Sequence, residues 1–238
     1  MNLKSTTQLA AAVLAMSMVV FCAPRVWSQA GGGEVSAKMA ENAKVLKQYT
    51  YLQKTQVFFR GELTTTKLDQ VHYDSMGEKI SIPISSTTPE EEQQRRAVLP
   101  VGRMVQRRVA EKKEEMKEEM KQYIERLVGL MGQYLPPNPD RVKAAMAKAD
   151  ITPPSGDADA KVAMHDFLKP GDSVKLSISS ATEQPSEISI HSTLDDDPVS
   201  FVVSFNKLPD GTNYPELTTI NSDAKELEMR ISTLDYHK

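Results

Sequence analysis

The stretch Phe201-Val202-Val203-Ser204-Phe205 decides the fold, because Phe201, Val203 and Phe205 occupy alternate positions. Successive side chains of a β-strand point to opposite faces of a sheet, so these three residues form one apolar face. Turn-forming residues bound the stretch, with Asp195-Asp196-Asp197-Pro198 before it and Leu208-Pro209-Asp210-Gly211 after it. The pattern predicts a strand between two hairpin turns.

The same alternation continues on both sides of this strand, from Val162 to the end of the chain. The apolar positions are Val174, Leu176 and Ile178, then Ile188 and Ile190, then Leu217 and Ile220, and finally Leu227, Met229 and Ile231. Each segment has one apolar and one polar face. This pattern is typical of an antiparallel sheet with one face in water and one face covered.

A strand meander is also predicted near the N-terminus, after a short helix that carries Leu46 and ends near Gln48. The first strand places Tyr51, Thr55, Val57 and Phe59 on one face, and Gly61 ends it as a bulge or turn. The second runs through Leu68, Val71 and Tyr73, with Asp69 expected at another position. The third is Ile80–Ile84, where Pro83 favours the sheet edge because it cannot donate to a ladder.

A helical insertion is predicted at about residues 90–150, between the meander and the C-terminal strands. Its long helix, 102–134, has an apolar seam with steps of four and three residues. The seam consists of Met116, Met120, Tyr123, Leu127, Leu130 and Tyr134. Pro136-Pro137 ends this helix, and Asn138 with Pro139 starts a short second one. We therefore expect one α+β domain over 31–238, an antiparallel sheet of about eight strands covered by helices.

Residues 1–30 have the pattern of an export signal: Lys4, an apolar core from Leu9 to Ala23, and Ser28-Gln29-Ala30 before a cleavage point. They predict a secreted protein, most simply in a bacterial periplasm. An uncleaved anchor and lipoprotein processing at Cys22 remain as alternatives. The whole chain has a net charge of −3, and the leader contains two cations and no acid. This charge balance argues against nucleic acid as a partner.

The sequence contains few residues arranged for chemistry. The four histidines, His72, His165, His191 and His237, lie on separate segments without metal-ligand spacing. Nucleophile-elbow and phosphate-loop motifs are absent, and the only cysteine lies in the predicted leader. Asp195–Asp197 lacks the spacing of a calcium loop, so a solvated turn is expected there. We predict no enzyme activity, no catalytic residue, no metal and no cofactor.

Two segments carry a resemblance to a known family. Asn42-Ala43-Lys44-Val45-Leu46-Lys47-Gln48-Tyr49-Thr50, a helix entering the first strand, and the final segment from Tyr214 to Tyr236 resemble the periplasmic lipoprotein-sorting carriers, the LolA/LolB-like half-barrels. That resemblance implies a curved sheet closed by helices over an apolar cavity for acyl chains. Phe167–Asp172 and Leu208–Pro215 also resemble segments of uncharacterised exported bacterial proteins.

The resemblance implies non-catalytic binding of a lipid or a lipidated protein between the sheet and the helices. The apolar strand positions predict its lining, which is Val57, Phe59, Val71, Tyr73, Phe201, Val203 and Phe205. A core filled by helix side chains is the structural alternative for the same residues. The functional alternative is a module that docks a protein partner through the long helix 102–134, where Met116, Met120 and Met131 form an adaptable stripe.

Overall fold

The computed structural model describes residues 42, 44–87, 103–135, 139–156, 158–182 and 184–238. The described strands are β1 (Thr50–Phe59), β2 (Glu62–Tyr73), β3 (Lys79–Thr87), β4 (Asp150–Thr152), β5 (Ala160–His165), β6 (Ser173–Ile178), β7 (Pro185–Leu194), β8 (Asp197–Lys207), β9 (Asn213–Ser222) and β10 (Leu227–His237). The helices are α1 (Arg103–Tyr134) and α2 (Pro139–Met146), and a 3-10 turn, Asp223–Lys225, joins β9 to β10.

All ten strands form one antiparallel sheet in the order β3-β2-β1-β10-β9-β8-β7-β6-β5-β4. The sheet is not closed, because β3 and β4 are its two edges. The antiparallel prediction is confirmed, while the expected count of about eight strands is too low. Two strands are missing from that count: β5, although its buried residues alternate with others, and β4, whose three residues are all exposed and show no apolar alternation.

One face of the sheet, here called the inner face, carries the main core. Its strand register places Phe201 beside Ile190 and Ile220, and Ile220 beside Met229, which in turn pairs with Val57. The first four of these side chains belong to the buried cluster that also contains the C-terminal half of α1, and Val57 packs against it. Burial of this apolar surface is the main stabilising contribution.

Helix α1 is held to the sheet by hydroxyl contacts as well as by apolar packing. The Tyr123 hydroxyl lies 2.6 Å from Ser222 Oγ. The Tyr134 hydroxyl donates to Asp172 Oδ2 at 2.5 Å and lies 2.8 Å from Ser192 Oγ. Because Ser222 and Ser192 both pair with Val199 of β8, α1 crosses these three strands at one end of the sheet.

The predicted seam of α1 is only partly correct. Tyr123, Leu127, Leu130 and Tyr134 are buried and Met120 is half-buried, but Met116 is 54% exposed. Among the described side chains of α1, those at 114–116, 118 and 119 are exposed, and packing against the core cluster begins at Met120. Consistent with this, an ion pair between Glu118 and Lys121, with N···O 3.7 Å, lies on the same exposed part.

The N-terminal meander is confirmed, with one correction. Gly61 turns the chain between β1 and β2 at φ +76°, and Pro83 lies in the edge strand β3. Asp69, however, shares the inner face with Val71 and Tyr73, because residues two apart in a strand point the same way. Leu68 points to the opposite face, so the sequence grouping of Leu68 with Val71 and Tyr73 was wrong.

The remaining predictions concern the short N-terminal helix, the leader and the cap of the second helix. Residues 42 and 44–46 are helical and are followed by a turn at 47–48, as the sequence predicts. The predicted leader, 1–30, and the predicted cap Asn138 lie outside the described residues. Within the part of the chain that the structure describes, no helix is both long enough and apolar enough to cross a membrane.

Candidate ligand-binding site

Polar side chains are concentrated on the inner face of β1, β2 and β3, at the end of these strands that is remote from Phe59 and Leu227. Gln53 of β1 lies between Asp69 of β2 and Thr233 of β10 in the strand register. Gln53 and Asp69 have no exposed surface. We call Gln53, Lys67, Asp69, Lys79 and Ser81 the buried polar cluster.

Two ammonium groups contact the centre of this cluster. Lys79 Nζ donates to Gln53 Oε1 at 3.0 Å. Lys67 Nζ lies 2.9 Å from Asp69 Oδ1, close enough for an ion pair, although the direction of the contact is poor for a hydrogen bond. Burial lowers the pKa of Lys79 to about 8; Asp69 opposes that shift and Lys67 adds to it.

Four buried polar atoms of the cluster have no hydrogen-bond partner among the described residues. They are Gln53 Nε2, both carboxylate oxygens of Asp69 and Ser81 Oγ; of these, only Asp69 Oδ1 has an ion-pair partner, Lys67. A buried polar group without a partner costs about 1–3 kcal/mol, so proteins rarely retain several of them close together. This concentration makes the buried polar cluster the candidate site for a polar ligand group.

An aromatic group, the tyrosine cluster, adjoins the polar one and consists of Tyr49, Tyr51, Tyr73, Tyr214 and Tyr236. The Tyr236 ring stacks on Tyr51 with centroids 4.8 Å apart and lies 4.7 Å from Tyr214 and 6.0 Å from Tyr49. Burial raises the pKa of both the Tyr51 and Tyr236 hydroxyls above the usual range. All five phenols are therefore neutral at physiological pH.

The chain before β1 is fastened over this end of the sheet. The Asn42 side chain exchanges two hydrogen bonds of 3.0 Å with the backbone of Asn213. Lys47 Nζ donates to the Gly77 carbonyl at 3.2 Å and lies 5.6 Å from the centroid of the Tyr73 ring. The Tyr49 hydroxyl donates to Asp210, which lowers the pKa of that carboxyl below its usual range.

A half-buried surface runs along the inner face from the buried polar cluster towards the main core. It consists of Thr55, Val57 and Phe59 on β1 with Thr65 and Lys67 on β2, and we call it the shelf. Together, the buried polar cluster and the shelf span about 20 Å along β1, from Gln53 to Phe59. A surface with charged groups at one end and apolar groups at the other suits an amphipathic ligand.

The structure divides the seven predicted lining residues into three groups. Phe201 and Val203 are fully buried in the main core, with Phe205 and Val57 packed at its margin. Val71 is fully buried beside Tyr51, with Tyr73 against them. Phe59 is half-buried, with the Arg60 guanidinium 5.1 Å from its ring centroid.

The sequence reasoning did not identify Gln53, Asp69 or Lys79. A signal was present, because Gln53 lies two residues after Tyr51, and Asp69 lies two residues before Val71. Polar residues at strand positions whose neighbours two residues away are buried and apolar mark buried polar groups. Lys79 had no such signal, since its contact with Gln53 crosses β2.

The acidic turn makes ion pairs with two basic side chains. Asp195 and Asp196 adopt φ +52° and +67° at the hairpin tip, and Arg126 lies 2.8 Å from Asp195. Lys225 pairs with Asp197 at 3.2 Å. Among the described residues, no group of three histidine, cysteine, aspartate or glutamate side chains could hold a metal ion.

The comparisons with known proteins add no relative to this picture. The chain matches no protein-family model, no curated protein and no solved structure.

Proposed function

We propose that this protein is a non-catalytic binding protein that holds an apolar ligand, a lipid or a lipidated protein, on the inner face of its sheet. The observation that carries the proposal is the shelf: Val57 and Phe59 are only half-buried, although they share a face with the fully buried Phe201. An acyl chain laid along them would bury apolar carbon at about 0.8 kcal/mol per CH₂ group.

The architecture that we propose for this function is a half-barrel-like sheet that curves around its inner face. In this architecture α1 contacts β7, β8 and β9, α2 contacts β5, and the shelf on β1 and β2 is the part where a ligand lies. We further propose that the leader exports the chain to the periplasm, where lipids and lipidated proteins must be shielded from water. No nucleic acid and no cofactor takes part in this proposal.

The proposal is tested with three phenylalanines on the same face. Phe59→Ala should lose affinity for a fluorescent fatty acid by about tenfold while losing roughly 1–2 kcal/mol of unfolding free energy. Phe201→Ala should lose about 3–5 kcal/mol, because it leaves a cavity in a filled core. Phe205→Ala, at the margin of that core, should lose an amount of unfolding free energy between those of the other two variants.

Unfolding by urea and titration with the probe measure both quantities for each variant. If wild type takes up no probe and all three variants only unfold more easily, the binding proposal fails.

A second candidate is docking of a protein partner through α1, and the observation in its favour is the exposed Met116. The predicted stripe of Met116, Met120 and Met131 is not one exposed surface, because Met131 is fully buried. Any docking surface on the described side chains of α1 is therefore limited to the region around Met116 and the half-buried Met120. Loss of a captured partner in Met116→Lys, with unchanged lipid uptake, would favour this alternative.

A further inference from the structure

We infer that the buried polar cluster recognises a carboxamide group at the end of an acyl chain, with Gln53 donating to its carbonyl oxygen and Asp69 accepting from its N–H. The inference rests on the proposed function, because the shelf provides the place for the chain. It goes beyond that function by naming the polar group of the ligand and the two residues that form hydrogen bonds with it.

The orientation of Gln53 follows from its contact with Lys79. An ammonium group can only donate, so the Gln53 atom that lies 3.0 Å from Lys79 Nζ must be the carbonyl oxygen Oε1. The amide nitrogen then points elsewhere, with two N–H donors. It is fully buried and has no acceptor in the described part of the chain. Gln53 therefore presents donors.

Asp69 lies beside Gln53 and presents hydrogen-bond acceptors. Gln53 and Asp69 are direct cross-strand partners on β1 and β2, a pairing that places their Cβ atoms about 5 Å apart. Asp69 Oδ1 is engaged by Lys67, whereas Oδ2 has no donor among the residues described. One donor group and one acceptor atom are thus neighbours in a buried place.

A carboxamide is the simplest ligand group that satisfies both. Its carbonyl oxygen accepts from Gln53 Nε2 and its N–H donates to Asp69 Oδ2. An ester and an ionised carboxylate both offer acceptors alone, so neither can donate to Asp69 Oδ2. The Ser81 hydroxyl, also buried without a described partner, is a further hydrogen-bond donor in the cluster.

Access to the pair is provided at Lys67. Its side chain is 23% exposed, whereas that of its partner Asp69 is fully buried, so the cluster reaches solvent through this residue. Lys67 also belongs to the shelf, where it is the register partner of Thr55. A ligand with its amide between Gln53 and Asp69 would then extend its chain past Thr55 towards Val57 and Phe59.

The test compares three ligands with the same chain, dodecanamide, N,N-dimethyldodecanamide and dodecanoate, as competitors of a fluorescent fatty acid on the full-length protein. We expect dodecanamide to compete about tenfold more strongly than its dimethyl analogue, which lacks the N–H, and more strongly than dodecanoate. Gln53→Met and Gln53→Glu should both reduce that preference to less than about threefold. Gln56→Met, the same change on the opposite face of β1, should leave it unchanged.

Three results would overturn the inference while leaving the binding function intact: equal competition by the two amides, stronger competition by dodecanoate, or an unchanged preference in a folded Gln53→Glu protein. If wild type binds no probe at all, the proposed function itself fails. Probe uptake by each Gln53 variant shows that it is folded before its preference is compared.

Discussion

At Lys79, burial beside β1 and β2 lowers the pKa of the ammonium from about 10.5 to about 8. Between these two values the unfolded chain binds a proton that the folded chain does not, so folding becomes more favourable as pH rises. Below pH 8 both states are protonated, and this dependence disappears. The lowered pKa of Lys79 therefore makes the unfolding free energy depend on pH only in the alkaline range.

We predict that the unfolding free energy of wild type, relative to Lys79→Met, increases by about 2 kcal/mol between pH 7 and pH 9.5. Urea unfolding of both proteins at several pH values measures this difference in unfolding free energy. The comparison stops at pH 9.5 because of the buried phenols of Tyr51 and Tyr236. Above pH 10 these phenols make the unfolding free energy decrease as pH rises, which is the opposite of the Lys79 effect. A Lys121→Met control, on exposed helix surface, should show no such increase. A flat difference for Lys79→Met would mean that this ammonium is solvated in the folded protein.

At the scale of elements, α1 contains a packed part and a part away from the core in one continuous helix. Leu127 and Met131 are fully buried against the sheet, whereas Glu114, Glu115 and Met116 are exposed. Helix propensity and charge pairs alone support such a projecting part weakly, since each pair contributes only tenths of a kcal/mol. The position of the helix is therefore set by its C-terminal half.

We predict that Leu127→Asp destabilises the protein by roughly 3 kcal/mol or more, because it buries a charge without a partner. Glu115→Ala on the same helix should change stability by less than about 0.5 kcal/mol. Thermal unfolding of the two variants checks both values. Equal melting temperatures would contradict the packing of α1 on the inner face.

Alternation and turn chemistry were sufficient to predict most strands, because most strands of this sheet bury one face. They did not predict β4, whose three residues are all exposed. They also did not predict how the tyrosines meet. Tyr236 reaches Tyr51 only because the pairing of β1 with β10 shifts between Thr50 and Leu52, near Asp235 at φ +55°. A local irregularity of this kind has no periodic signature.

At the scale of the whole molecule, β1 and β10 join the N-terminal meander to the C-terminal strands in one sheet. The filled core lies under α1, and the buried polar cluster lies beyond it on the same face. Some contacts at this end of the sheet, such as Asn42 with Asn213, connect residues more than a hundred positions apart. A single sequence does not reveal such pairs, so the site could be predicted only as an apolar strand face.

We predict that the mature protein begins at Gly31, because Ser28 and Ala30 satisfy the small-residue requirement for leader cleavage. N-terminal sequencing of the protein recovered from its native envelope checks this. A chain that begins at a lipid-modified Cys22 would instead be tethered to a membrane and would contradict a freely diffusing carrier.

Mass spectrometry of organic extracts of the purified protein tests the binding function most directly. The full-length protein is recovered from its native envelope, and Phe59→Ala is recovered in parallel as the variant with a weakened shelf. We predict about one acyl-chain ligand per protein in wild type and much less in Phe59→Ala. Extracts of folded wild type that contain no acyl compound above the level of an unrelated exported protein would contradict the account.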